Sequence, residues 1–228
     1  MGTKIEWCDE VWNPVWGCHN NCPYCYAKSI AKRFGKTQDE KDFIPHWKES
    51  NFNKRFARSV KRVFVNSMSD IIYWDIEWMV KVIERIKIMP NIQFIFLTKG
   101  GVDAYGAHCY PKNCVLGFTA ERQDDIPTVF AHGVPLLLNI EPILEPFTAR
   151  YPRDIRQFDA FDWIIIGAET GNRKGKPIPE LSWYESLISD KTFIKPSLRD
   201  ITPDALYVQN HISNENSAVD VLGMGSKQ

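Results

Sequence analysis

Residues 136–141 read Leu-Leu-Leu-Asn-Ile-Glu, a short apolar run that ends on a carboxylate. The same pattern, an apolar run followed by polar side chains, recurs at residues 63–67, 93–99, 115–121, 163–169 and 193–195. Runs without polar alternation are typical of strands covered on both faces, as in the parallel sheets of α/β proteins. The sequence therefore predicts an α/β fold, with the architecture of a partial (β/α) TIM-like barrel.

The ends of the predicted strands carry the candidate site residues. In barrels of β/α units the carboxyl ends of the strands form the active-site face, so we expect these side chains to converge on one mouth. They comprise three carboxylates, two cations and two hydroxyls: Glu121, Glu141, Glu169, Lys99, Lys195, Ser67 and Thr119. Such groups match the charged ends and hydroxyls of a small ligand, although each could instead cap a following helix.

Two helices are predicted from apolar residues at helical spacing. The first covers residues 27–34 and ends at Gly35, and the second begins at Asp75 and ends before Pro90. Residues 36–60 show no clean period, so we expect an irregular insertion with one short helix.

The whole chain has the balance of an ordinary globular protein. Its 228 residues suit one domain, residues 1–228, and 44% hydrophobic with 25% charged residues excludes disordered and collagen-like classes. Charges near the N-terminus are incompatible with a signal peptide, and no stretch approaches the length of a membrane span. We therefore expect a cytoplasmic protein that binds no membrane, with residues 214–228 as a frayed tail or a lid.

The charge is balanced overall but uneven along the chain. There are 28 basic and 28 acidic residues, so the protein as a whole does not attract nucleic acid. The basic segment, residues 28–62, holds eleven Lys or Arg against four Asp or Glu, with aromatic side chains interleaved. That composition occurs on surfaces that contact phosphates and stack bases, and also on simple solvated faces. Direct nucleic-acid binding stays open but is not favoured.

Cys18, Cys22 and Cys25 lie in the sequence Cys-His-Asn-Asn-Cys-Pro-Tyr-Cys at the spacing C-x3-C-x2-C. Three thiolates can hold three irons of a cubane iron–sulfur cluster and leave the fourth iron open to a ligand. Structural zinc is the alternative, with His19 or Cys8 as the fourth ligand of a tetrahedral site. A disulfide is less compatible with a chain that lacks a secretory signal.

At these residues the sequence resembles the radical S-adenosylmethionine (radical SAM) superfamily, in which an aromatic residue precedes the last cysteine, as Tyr24 does here. The resemblance implies a 4Fe-4S cluster held by Cys18, Cys22 and Cys25. It also implies that S-adenosyl-L-methionine binds the open iron and is split to a 5′-deoxyadenosyl radical. The task of the protein is then to bind the cofactor, to orient it against the substrate and to exclude competing reactions.

Further blocks resemble a compact radical SAM family often found in phage genomes. They comprise Lys4-Ile5-Glu6-Trp7, Trp12-Asn13-Pro14, Asn66-Ser67-Met68-Ser69-Asp70, Leu97-Thr98-Lys99, Asn139-Ile140-Glu141-Pro142 and Ile166-Gly167-Ala168-Glu169-Thr170-Gly171. A cellular branch of that family is queuosine lyase, which releases the 7-deazaguanine base queuine for salvage. The sequence departs from the superfamily where Asn66–Asp70 replaces a Gly-Gly-Glu motif that binds the methionyl ammonium, and residues 167–171 resemble that motif on a later strand.

The resemblance implies a radical SAM lyase that cleaves the N-glycosidic bond of queuosine or its 5′-phosphate, with an electron donor such as flavodoxin or ferredoxin. The expected catalytic residues are Glu141, Glu169 and Lys195, with the two carboxylates accepting from the N–H donors of the base. The expected cofactor-binding residues are Tyr24, Ser67, Lys99, Thr119 and Glu121. Two alternatives stay open: a radical SAM enzyme that modifies tRNA or a phage peptide, and a zinc-stabilised binding module.

Overall fold

The structure, a computed structural model, describes residues 3, 5–106, 108–129, 133–147 and 158–205. The chain divides into two compact units. The first unit comprises residues 1–119 and 127–135, and the second comprises residues 120–126 and 136–228. The single domain expected from the sequence stays a prediction.

Four parallel strands form the sheet of the first unit. In spatial order they are β1 (Glu10–Val11), β4 (Arg62–Phe64), β5 (Gln93–Thr98) and β6 (Cys114–Thr119). Phe94, Ile95 and Phe96 on β5 are all buried, as expected for a strand with both faces covered. A separate antiparallel pair joins β2 (Val15–Trp16) to β3 (His46–Trp47).

Two amphipathic helices of the first unit were predicted from the sequence. Helix α1 spans Tyr26–Phe34, and α4 spans Ile76–Lys87 after the N-cap Asp75. The apolar stripe of α4 is buried at Met79, Val82, Ile83 and Ile86. Both predictions are confirmed to within one or two residues at each end.

The prediction for residues 36–60 was wrong in detail. The segment contains two short helices, α2 (Gln38–Asp42) and α3 (Glu49–Phe52), with strand β3 between them. The Thr37 hydroxyl caps α2 by accepting from the Glu40 N–H, and Phe43 ends it with a left-handed φ of 62°. Elements this short carry no readable hydrophobic period, which is why the sequence predicted an irregular insertion.

Three parallel strands form the sheet of the second unit, in the order β7 (Leu136–Ile140), β8 (Trp163–Ile166) and β9 (Thr192–Ile194). Every residue of β7 and β8 is buried. A short helix, α5 (Pro196–Arg199), begins directly after Lys195, with proline in its first turn.

The mixed α/β class and the parallel strands are therefore confirmed, and the partial barrel of radical SAM type stays a prediction. Among the described residues, no helix is long and apolar enough to cross a membrane. The predicted tail at residues 214–228 lies outside the described residues.

Candidate active site

The three motif cysteines lie on one loop of the first unit, between β2 and α1. Cys25 is the N-cap of α1, and its Sγ accepts a hydrogen bond from the Lys28 backbone N–H at 3.3 Å. The Sγ of Cys18 accepts from the Asn20 N–H at 3.4 Å. None of the three cysteines, Cys22 included, is in a disulfide, and all three are half-buried. Two of the three sulfurs thus already receive the backbone N–H donors that stabilise a thiolate.

Burial shifts the pKa of two thiols of this loop upward, which favours their protonated form. Burial is the main cause that raises the pKa of Cys18 to about 11, and the nearby Asp70, Cys22 and Cys25 raise it further. Burial also raises the pKa of Cys25. Metal binding by these cysteines would therefore release protons.

A 4Fe-4S cluster is compatible with the donor chemistry of this loop. Three soft sulfur ligands lie within eight residues, none is in a disulfide, and each is reachable from solvent. The side chains are not gathered around a common point, since the described residues contain no group of three or more His, Cys, Asp or Glu arranged to hold a metal ion. The residues fit the cluster as a donor set, and Cys18, Cys22 and Cys25 are those that would hold it.

Asp70 ties the cysteine loop to the end of β5. Its side chain is buried, with 4% exposure. One carboxylate oxygen accepts from the Thr98 hydroxyl at 2.5 Å and the Ile72 N–H at 3.2 Å. The other accepts from the Asn20 amide at 2.8 Å and the Lys99 N–H at 2.9 Å. One buried carboxylate therefore fixes the loop that carries the cysteines against the strand end that carries a predicted cofactor residue.

Two predicted cofactor-binding residues meet beside this loop. The Lys99 ammonium donates to the Tyr24 hydroxyl at 2.6 Å and lies 5.2 Å from the centre of its ring. The cation is thereby held next to the cysteine motif, within the first unit. A carboxylate ligand placed there would find a positive charge that is already oriented.

Ser67 lies in the loop that follows β4, and Thr119 lies at the end of β6, both in the first unit. The Ser67 hydroxyl is 3.0 Å from the Asn13 amide nitrogen, and the Asn13 oxygen also accepts from the Met68 N–H at 3.1 Å. Ser67 therefore helps to hold the loop after β4. Thr119 is the last residue of β6 and is half-buried.

In the second unit, Glu141 and Lys195 form an ion pair. The Lys195 Nζ donates to a Glu141 oxygen at 2.5 Å, and both side chains are largely withdrawn from solvent. Gly167 makes room for the pair, because a Cβ there would lie 3.0 Å from the Lys195 side chain and 3.1 Å from that of Glu141. Two of the three predicted catalytic residues are therefore brought together.

Glu169, the third predicted catalytic residue, is held by Arg173. The Arg173 guanidinium donates from Nε and Nη2 to the two Glu169 oxygens, at 2.7 and 2.6 Å. The Glu169 side chain is 2% exposed, whereas that of Arg173 is 34% exposed. A ligand at Glu169 would thus meet a carboxylate that is already bonded through both oxygens.

Glu121, a predicted cofactor-binding residue, has a raised pKa. Burial is the main cause that raises its pKa from 4.5 to about 7, and the carboxylates of Asp125 and Glu169 add to the effect. A carboxyl with a pKa near 7 can both give and accept a proton at neutral pH. Glu121 is therefore suited to proton transfer as well as to binding.

A family model described as "Protein of unknown function (DUF5131)" matches residues 2–192. The chain belongs to the DUF5131 family. No curated protein and no solved structure matches it significantly. The match in DUF5131 includes the cysteine loop and every predicted site residue except Lys195.

Sequence reasoning missed two of the residues that organise this DUF5131 site. Asp70 was quoted only as part of a resembling block, and Arg173 was not singled out. The signal for Asp70 was its place in the polar stretch after a buried strand. For Arg173 the only signal was its i, i+4 spacing from Glu169, which is common on any polar loop.

Proposed function

We propose that the chain is a radical SAM enzyme that cleaves the N-glycosidic bond of queuosine or queuosine 5′-phosphate and releases queuine. The observation that supports this most is the cysteine loop. Three thiols at the radical SAM spacing lie on one loop and are in no disulfide, two of them receive backbone N–H donors, and Asp70 holds the loop through a hydrogen bond from Asn20.

The chain's residues fall into two groups with different tasks. When bound, a 4Fe-4S cluster with one open iron supplies the electron that splits S-adenosylmethionine into methionine and a 5′-deoxyadenosyl radical. Cys18, Cys22 and Cys25 hold the cluster, and Lys99, positioned by Tyr24, offers a cation to the methionyl carboxylate. These assignments use only groups of the first unit.

The acidic residues of the second unit suit a 7-deazaguanine base. Its N1 and N2 donors need acceptors, which ionised carboxylates supply. Lys195 pairs with Glu141 and Arg173 pairs with Glu169, so a cation holds each carboxylate in place. Glu121, with a pKa of about 7, can deliver a proton to the departing base.

The contacts of the basic segment favour a small substrate over tRNA. Lys48 pairs with Glu40 at 2.6 Å, and Lys54 pairs with Glu10 at 2.6 Å. These cations are engaged within the protein, which lowers the charge available to a phosphate backbone. Modification of tRNA therefore stays the second candidate, and a zinc-stabilised module the third.

Anaerobic reconstitution with iron and sulfide, followed by metal and sulfide analysis, tests the proposed centre. We expect about four irons per chain in the wild type. Cys18→Ala, Cys22→Ala and Cys25→Ala should each lose the cluster and the activity together. Cys109→Ala is the matched control, because Cys109 is exposed and lies outside the loop. Stoichiometric zinc, or a full cluster in Cys22→Ala, would contradict the assignment.

The substrate is tested by incubating the reduced, reconstituted protein with S-adenosylmethionine and either queuosine, queuosine 5′-phosphate or queuosine-containing tRNA. We expect free queuine from the nucleoside or its phosphate, together with 5′-deoxyadenosine. Release from tRNA alone would favour the second candidate.

A further inference from the structure

Asn139, in the middle of β7, has a buried side chain with an unsatisfied oxygen. The residue is 4% exposed, and its Oδ1 has no hydrogen-bond partner among the residues that the structure describes. Buried carbonyl oxygens are nearly always paired, because an unmade hydrogen bond is costly in a dry environment. An unpaired amide oxygen in a strand whose other residues are Leu and Ile therefore needs an explanation.

The register of the strands places Asn139 beside the Glu141–Lys195 pair. Asn139 lies opposite Ile165, and Ile165 lies opposite Phe193. Alternate residues of a strand share a face, and continuing that alternation one residue past the end of β7 puts Glu141 on the same side as Asn139. The amide of Asn139 is thus two residues before Glu141, whose ion pair with Lys195 is a candidate binding site.

The same face offers an aromatic side chain. Phe193 lies on β9 in the row of Asn139, and it is only half-buried although its neighbours Thr192 and Ile194 are buried. A half-buried ring beside buried neighbours can stack on a planar ligand through its accessible part. One face of the second unit therefore presents an amide, an ion pair and an aromatic ring.

We propose that Asn139 reads the edge of a purine-type base. A carboxamide presents an acceptor and a donor side by side, so it forms two hydrogen bonds with a base edge that has a donor next to an acceptor. Adenine offers such an edge at N6 with its ring nitrogen, and a 7-deazaguanine offers one at N1 with O6. The unpaired Oδ1 takes the base N–H, and Nδ2 donates to the neighbouring acceptor.

Two bases that the proposed function brings to this chain carry that edge. The proposal rests on the proposed function only for the identity of these two bases. One is the adenine of S-adenosylmethionine, and the other is the base of the substrate. The shared chemistry is a planar heterocycle with adjacent donor and acceptor. Which base Asn139 contacts is decided by the experiment.

The test measures equilibrium binding of S-adenosylhomocysteine and of queuine to the reconstituted protein by anaerobic calorimetry. Asn139→Leu removes both hydrogen bonds at similar volume, and Asn139→Asp keeps the shape but replaces the donor. We expect each variant to weaken binding of one of the two ligands by roughly tenfold or more while leaving the other within about twofold. Weaker S-adenosylhomocysteine binding assigns Asn139 to adenine, and weaker queuine binding assigns it to the substrate.

Thermal stability distinguishes a binding role from a structural one. Asn139→Leu should have a melting temperature equal to or above that of the wild type, because it removes an unsatisfied buried group. Asn113→Leu is the matched control, since the Asn113 amide donates to the Met89 and Ile92 carbonyls at 3.1 and 2.8 Å. The control should melt lower and bind both ligands as the wild type does. Unchanged affinities in both Asn139 variants, or a loss of stability like that of the control, would overturn the proposal.

The proposal for Asn139 can be tested even if the proposed function is wrong. If no cluster assembles, the same titrations on the cluster-free chain, with adenosine and guanosine added, still test Asn139. A wild type that binds none of these bases, or binds them as tightly as Asn139→Leu does, would overturn the inference.

Discussion

At the scale of single residues, Asp70 is the side chain on which the cysteine loop most depends. Both of its oxygens accept two hydrogen bonds, from Asn20, Ile72, Thr98 and Lys99. Asp70→Asn turns one oxygen into a donor that faces two other donors. We expect a loss of about 1–3 kcal/mol in the free energy of unfolding, measured by urea titration.

The control for this substitution is Asp103→Asn, because Asp103 is exposed. It should change the free energy of unfolding by less than about 0.5 kcal/mol. Equal effects of the two substitutions would mean that the Asp70 contacts add little to stability.

Glu121 predicts an unusual dependence of stability on pH. Its folded-state pKa of about 7 lies above the unfolded value of 4.5. Its contribution to stability is therefore complete below about pH 4.5 and is lost as the pH rises through 7. Glu121→Gln, which cannot ionise, should match the wild type near pH 4.5 and have the higher melting temperature at pH 8.

Scanning calorimetry across that range checks the prediction, with Glu180→Gln as the control at an exposed position. The control should follow the wild type at every pH. A constant difference between Glu121→Gln and the wild type would show that ionisation of Glu121 is not the cause.

At the scale of elements, Gly17 fixes the start of the cysteine loop. Its φ is 99°, and a Cβ there would lie 2.2 Å from the Ile44 carbonyl oxygen, a backbone atom that cannot swing away. Gly17→Ala should therefore displace the loop as well as strain the backbone. We expect a loss in unfolding free energy above the roughly 1–3 kcal/mol of a strained residue alone, and less iron per chain after reconstitution.

Gly101→Ala is the matched control for that substitution. Gly101 also has a positive φ, 66°, but a Cβ there meets nothing within 4 Å. It should lose stability through backbone strain only and retain its iron. Full iron in Gly17→Ala would show that the loop tolerates the shift.

The strands and the two long helices were predictable because their patterns are local. A continuous apolar run such as residues 136–140 fits only a covered strand, and the stripe of α4 fits only a helix. Helix α2 was not predictable, because its stability comes from tertiary contacts. Glu40 accepts from the Lys36 N–H and from the Lys48 side chain, contacts that lower its pKa to about 2.

The site was predictable in its residue types but not in its partners. The strand-end rule selected Glu141 and Lys195, and the structure pairs them. It could not show that Glu169 is bound by Arg173, or that the Asn139 Oδ1 lacks a partner among the described residues, because both facts depend on which side chains meet after folding.

At the scale of the whole molecule, the net charge of zero predicts how binding responds to salt. A tRNA that contacts several phosphate-binding cations binds with a log–log salt slope near −0.7 for each contact on single strands. The turnover of a free nucleoside should hardly change with salt over the same range. The salt dependence for its 5′-phosphate should lie between these two cases. We expect the flat behaviour, measured as kcat/KM for queuosine between low and physiological salt.

The variant with Lys54, Arg55 and Arg58 changed to Gln tests the alternative. If the basic segment is a solvated face, this variant should cleave queuosine like the wild type. Tight, steeply salt-dependent tRNA binding that the variant loses would instead favour a tRNA-modifying enzyme.

Maturation of the protein is constrained by the contacts of Asp70. Four protein groups donate hydrogen bonds to it, so these contacts of the cysteine loop can form as the chain folds. A small zinc finger, by contrast, folds only once its metal has arrived. Under the proposed function, a newly made chain can thus receive its cluster from a carrier protein after folding. A chain whose cluster is destroyed by oxygen likewise keeps the shape needed for reloading, so repair rather than degradation is the outcome that this arrangement favours.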